Sequence, residues 1–142
     1  MTGGIREGLV AASGDIVAFG SRRWPVTLEL LDGTRDILLH NAAVSTAGDT
    51  EQFVVINGIR YSHIIDPSTG AGLTNRIAVV VVAKTGLEAD ALDTTIAILG
   101  KRRGLKLLKK HRKTAAIIVT AEGASEFNPR AWRKLSSRIL PF

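Results

Sequence analysis

The chain has 142 residues, long enough for one domain with a buried core, and 45% hydrophobic residues with only four prolines place it among globular chains. It has no cysteine, which excludes disulfides, thiolate metal sites and a lipid-modified cysteine on this chain. A net charge of +6 and a pI near 10.2 invite a nucleic-acid reading that the distribution of that charge has to support.

Met1 to Val10 contains no apolar run of signal-peptide length, so the sequence as given is expected in the cytoplasm. Asp15 to Phe19 and Pro25 to Leu30 read as strands, and Asp32-Gly33 as the turn into a third strand running from Asp36 into the Ser45 segment. Gln52 to Ile56 and Ile59 to Ile65 flank Asn57-Gly58, a strong hairpin signal. The continuous valine run from Ile77 to Ala83 predicts a buried strand, and it is too short to span a bilayer.

Leu87 to Leu99 has helical spacing and is expected to stop at Gly100, with a basic helix following. In that second helix Lys101, Arg102, Arg103, Lys106, Lys109, Lys110, Arg112 and Lys113 surround Leu105, Leu107 and Leu108. The pattern is that of a solvated helix face packed by its leucines, with no aromatic interleaving for base stacking, so nucleic acid is not expected as a partner. Thr114 to Thr120 predicts a further strand, Ala121 to Ser125 reads as a short linker-like piece, and Asn128 to Leu135 predicts a helix opened by an Asn-Pro cap. The expected class is α+β, with a mixed, mainly antiparallel sheet and flanking helices.

Two segments concentrate chemistry. The first, His63-Ile64-Ile65-Asp66-Pro67-Ser68-Thr69-Gly70, joins the side chain that titrates near neutral pH to an Asp-Pro turn and a Thr-Gly pair. A lone strand histidine is more often structural than catalytic, and an Asp before Pro usually caps its own turn. Thr69 and Gly70 could still offer backbone N–H groups to a phosphate. The second segment, Ala89-Asp90-Ala91-Leu92-Asp93-Thr94-Thr95, puts Asp90 and Thr94 on one helix face one turn apart, as hard oxygen donors of the kind Mg²⁺ prefers. The plainer account is that acids gather near a helix N-terminus because the dipole favours them there. Asp93 points about 100° away from Thr94 on the helical wheel, and its replacement is expected to be nearly silent.

Two more blocks extend the pattern: Ser13-Gly14-Asp15-Ile16 with Gly20 and Trp24, and Ser45-Thr46-Ala47-Gly48-Asp49. In order and separation these four blocks, covering roughly Gly8 to Gly100, resemble the C-terminal half of the FAD:protein FMN transferase (ApbE) family. The resemblance implies residues 1–142 as a single domain that is the C-terminal portion of a flavin transferase-like domain. Members are usually more than twice as long, and nothing like the family's upstream FAD-pocket helix precedes Gly3. It also implies Asp90 and Thr94 as Mg²⁺ ligands and His63 as the catalytic residue. Asp15, Ser45, Thr46, Gly48, His63, Ile64, Thr69 and Gly70 would contact FAD.

Three positions depart from the family pattern: Ser68 where an Arg is common, Thr50 where a Tyr is common, and Asp93 where a small residue is common. Asp49 can be read either as a ligand-site acid or as a structural one. The activity implied is Mg²⁺-dependent transfer of FMN from FAD to a Ser or Thr hydroxyl of a partner protein, with the missing half supplied by a homodimer or a complementing chain. The alternatives are an FAD pyrophosphatase releasing FMN and AMP, and a non-catalytic FAD-binding or partner-binding remnant. Full-length relatives are often exported.

Overall fold

A computed structural model describes residues 4–48 and 52–138. Its elements run β1 (Gly8–Ala12), β2 (Asp15–Leu30), β3 (Gly33–Gly48), β4 (Phe53–Ile56), β5 (Ile59–Ser62), β6 (Ile77–Ala83), α1 (Gly86–Leu108), β7 (Ala115–Thr120), β8 (Gly123–Phe127), α2 (Pro129–Leu135) and β9 (Ser136–Arg138). Seven strands form one antiparallel sheet in the order β1-β2-β3-β6-β7-β8, with β9 pairing β3, and β4-β5 stand apart as a two-stranded hairpin. The α+β class with a mainly antiparallel sheet is the one expected. Among the described residues no helix is long and apolar enough to cross a membrane.

The sheet buries both faces because its central strand is apolar throughout: every residue of β6 from Ile77 to Ala83 is buried. On one face Val79 and Val81 meet Ala89, Leu92 and Ile96 of α1. On the other, Val80 and Val82 join Leu28, Ile37, Leu39 and Val44 from β2 and β3, with Trp132 of α2. Alternating sides at successive residues is what a strand must do, so a continuous valine run means two covered faces.

Several boundaries differ from the sequence reading. The two strands expected at Asp15–Phe19 and Pro25–Leu30 are halves of β2, whose pairing with β3 shifts register between Ala18 and Arg23. Gly20 (φ 93) and Asn41 (φ 45) sit at that irregularity, and such a bulge bends a hairpin without ending it. The strand predicted to reach Ile65 ends at Ser62, where the chain turns into the Asp66 loop. Ala121 to Ser125 is not a linker: Ala121-Glu122 is a turn, and Gly123 begins β8, which pairs with β7. β1, absent from the sequence reading, forms a tight hairpin with β2 across Ser13-Gly14.

α1 opens on Thr85, whose Oγ1 accepts a hydrogen bond from the Glu88 N–H at 3.3 Å. It breaks at Gly100, whose φ 74 and ψ 167 suit glycine, so the basic segment is a second helical stretch after a kink, as expected. Asn128 caps α2 through its side chain, accepting from the Ala131 N–H at 3.2 Å.

Candidate functional site

Strand alternation at the end of β3 divides the Ser45-Thr46-Ala47-Gly48 block between two places. Val44, Thr46 and Gly48 line a cleft of about 520 Å³, together with Ser13, Gly14, Thr27, Glu29, Gln52 and His63. Ala43, Ser45 and Ala47 face the other way and are buried on the α1 side. Gly48 is needed for packing: a Cβ there would lie 2.7 Å from the Ile77 carbonyl oxygen, where β3 pairs with β6.

His63 reaches the cleft from just beyond β5. Its backbone N–H donates to the Gln52 carbonyl at 3.2 Å, and its Nδ1 lies 3.3 Å from the same oxygen. A carbonyl can only accept, which assigns the imidazole proton to Nδ1 and leaves Nε2 with a free lone pair in the neutral ring. The ring is exposed, so Nε2 is open to solvent and to anything in the cleft.

The Asp66 turn is self-contained. The Asp66 carboxylate accepts from the Ser68 N–H at 2.8 Å and the Ser68 hydroxyl at 2.7 Å, and these two bonds hold its pKa below the ordinary carboxylate value. The Thr69 and Gly70 N–H groups both donate to the Asp66 carbonyl, at 3.2 and 2.8 Å. These amides are therefore engaged inside the turn rather than free for a phosphate, which corrects the expectation of free donors there. Ile64 is 7% exposed and packs with Leu73 and Ile77 in the core on the α1 side.

Asp15 opens β2 opposite Ala12 and is half-buried, while its neighbours Ser13 and Gly14 line the cleft. Asp49 and Thr50 lie outside the described residues.

On α1, Asp90 is exposed and Thr94 half-buried, one turn apart. Among the described residues no group of three or more His, Cys, Asp and Glu side chains could hold a metal alone, so Asp90 and Thr94 would be two donors among several. The chemistry of the pair suits a hard cation. Both atoms are oxygens, and among the described residues the Asp90 carboxylate has no hydrogen-bonding or ionic partner to compete with one.

Asp93 is the residue that sequence reasoning misplaced. It is 1% exposed and accepts a 2.5 Å hydrogen bond from the Ser45 hydroxyl, while its other oxygen accepts from the Thr94 hydroxyl at 3.1 Å and from the Thr94 N–H. Burial pushes its pKa up from 3.8 to about 6, against the opposing pull of the Ser45 and Thr94 hydrogen bonds, and the neighbouring charge of Asp90 adds to the rise. A signal was available: Ala89, Asp93 and Ala97 recur every four residues beside Leu92 and Ile96, which is the apolar stripe of α1. The cleft residues Gln52 and Glu29 had no comparable signal, because they come from separate segments that folding brings to one cleft.

Comparison with known proteins shows the family and the fold. The model of the ApbE family matches residues 1–118. The chain is 34% identical over 98 residues to the FAD:protein FMN transferase of Vibrio cholerae, covering 68% of this chain and 29% of that protein. It is 29% identical over 140 residues to the enzyme of the same name from Haemophilus influenzae, covering 90% of this chain and 40% of that protein.

Among solved structures, the apo flavinyl transferase ApbE of Pseudomonas stutzeri superposes with a TM-score of 0.73 at 30% identity, and the ApbE protein of Thermotoga maritima with 0.76 at 29%. Each alignment covers over nine-tenths of this chain, 93% and 91%, and 44% of the other. The chain thus spans less than half the length of the relatives it matches, and by the family model, the shared fold and the ordered motifs it belongs to the ApbE family.

Proposed function

We propose that this chain is the C-terminal portion of a flavin transferase that moves FMN from FAD to a Ser or Thr hydroxyl of a partner protein, and that it works with the remainder of the family fold, supplied by a second copy or a complementing chain. The observation that carries the reading is the cleft where His63, its Nδ1 proton held by the Gln52 carbonyl, stands beside Thr46 and Gly48. The relatives named above, both FAD:protein FMN transferases, support the reaction class.

In this reading the acceptor hydroxyl oxygen attacks the phosphorus on the FMN side of the diphosphate. Its proton passes to His63 Nε2, the bond from that phosphorus to the bridging oxygen breaks, and AMP leaves with the electron pair. Thr46 and the backbone at Gly48 would line the approach of the flavin half, in the same cleft as Ser13 and Gln52. Asp90 and Thr94 would hold Mg²⁺, which when bound neutralises diphosphate charge. With water in place of the acceptor hydroxyl, the same arrangement would release FMN and AMP.

The test combines the chain with a polypeptide carrying the rest of the family fold, FAD, Mg²⁺ and an acceptor protein of a family member. Flavin fluorescence that stays on the acceptor through a denaturing gel is the expected result, and His63→Ala should lower its rate about 10²- to 10⁴-fold, the usual worth of a general base. Free FMN and AMP without labelled acceptor would replace transfer by pyrophosphatase activity. No FAD turnover at all would leave a binding remnant.

A further inference from the structure

Asp93 is a carboxylate at 1% exposure, and among the described residues no cation pairs with it. Burying such a charge is costly, and interiors keep one where its hydrogen bonds organise something else. Here both carboxylate oxygens are occupied: one takes the proton of Ser45 from β3, and the other takes the hydroxyl proton and the N–H of Thr94. A threonine hydroxyl has one proton and two lone pairs, so committing the proton to Asp93 turns the lone pairs of Thr94 Oγ1 away from it.

We propose that Asp93 is a positioning residue: it holds the Thr94 hydroxyl with its proton turned inward and its lone pairs presented to a hard cation shared with Asp90, while Ser45 ties this arrangement to β3. The proposal rests on the reading of Asp90 and Thr94 as cation donors. Asp93 is not itself a ligand, because its oxygens are spoken for and it lies beneath the surface. The device also links the two sides of the sheet, since Ser45, which anchors Asp93, is the chain neighbour of Thr46 in the cleft.

An asparagine at this position is the informative substitution. Its amide oxygen can still accept from Thr94, while its NH₂ group turns to the Ser45 oxygen, which can accept. Positioning therefore survives Asp93→Asn and fails in Asp93→Ala. A role through negative charge fails in both.

The probe is Mn²⁺ in place of Mg²⁺, followed by water-proton relaxation on the chain combined with the polypeptide that carries the remainder of the family fold, with FAD present. Asp90→Asn and Asp93→Ala are each expected to weaken Mn²⁺ binding about tenfold or more, the lower end for loss of a group that orients a ligand, with Asp93→Asn within about threefold of the unsubstituted chain. If Asp90→Asn weakens binding and Asp93→Ala does not, the positioning role is wrong and the cation reading stands. If Asp93→Asn is as damaging as Asp93→Ala, Asp93 acts by charge and the proposal is overturned.

If Asp90→Asn changes nothing, or the unsubstituted chain binds no Mn²⁺, the cation reading falls and takes the proposal with it. A second, metal-free measurement is the Thr94 side-chain rotamer from three-bond NMR couplings. It should be single in the unsubstituted and asparagine chains and averaged in the alanine chain, or in Asp93→Ser should the alanine chain not fold. Averaging in the unsubstituted chain overturns the proposal.

Discussion

The Ser45 hydroxyl donates a 2.5 Å hydrogen bond to the Asp93 carboxylate, 48 residues further along the chain, with both side chains almost closed to solvent. This contact fastens α1 to β3 at the point where the next residue, Thr46, faces the His63 cleft. Two of the four segments that carry the ApbE pattern are thus held in fixed relation by a polar contact inside an otherwise apolar layer of Ala43, Ala47, Ala89 and Ala97.

Burial of the Asp93 carboxyl makes stability depend on pH. The folded chain holds the Asp93 proton up to about pH 6, whereas the unfolded chain releases it near 3.8. Between those values the folded state binds more protons, so stability falls as pH rises through the window, and the full cost is present above it. At roughly 1.4 kcal/mol per pH unit the cost is about 3 kcal/mol. Asp93→Asn lacks it, so urea denaturation should find the variant more stable than the unsubstituted chain at pH 8, with the advantage fading towards pH 4. An advantage that does not change with pH would contradict this origin.

Asp90→Asn and Thr94→Val should separate in metal-dependent FAD turnover by the complemented protein. Replacing the exposed Asp90 removes a full charge from the cation and leaves the core alone, so turnover should be abolished with the thermal midpoint unchanged. Thr94→Val removes a neutral ligand and should cost less. Equal losses from both, or unfolding by Asp90→Asn, would assign these residues to structure.

The β4-β5 hairpin presents Phe53, Val54, Val55, Ile56 and Ile59 to solvent, each between 42% and 60% exposed, on both faces of the ribbon. Exposed apolar ribbons associate. Light scattering should show assemblies that grow with concentration, and Val54→Lys with Val55→Lys should reduce them. A clean monomer at high concentration would show that this surface is tolerated bare.

Gly104 closes the space between the two stretches of α1: a Cβ there would lie 2.6 Å from Ile96 Cγ2, and both residues are buried. Gly104→Ala should destabilise the chain by about 1–3 kcal/mol through overpacking, measured by chemical denaturation. An unchanged midpoint would mean that the second stretch can move away from the first at little cost.

Local signals in the sequence are sufficient wherever the physics is local. The Asn57-Gly58 hairpin takes positive φ at both turn residues (51 and 77), the valine run of β6 is buried on both sides, Gly100 breaks α1, and Asn128 caps α2, all because turn chemistry, periodicity and capping act within a few residues. The family was legible for a related reason, since its motifs survive as short ordered blocks.

The sequence alone could not divide Ser45 from Thr46, because which face of β3 is covered by α1 depends on sheet order, and neighbouring residues then take opposite sides. Nor could it show that Asp93 is buried, that the Thr69 and Gly70 amides are already used, or that Gln52 fixes the His63 tautomer. Each of those depends on a partner brought close by folding, from the nearby carbonyl of the Asp66 turn to a strand 48 residues away, and hydrogen bonds are settled by distance in space.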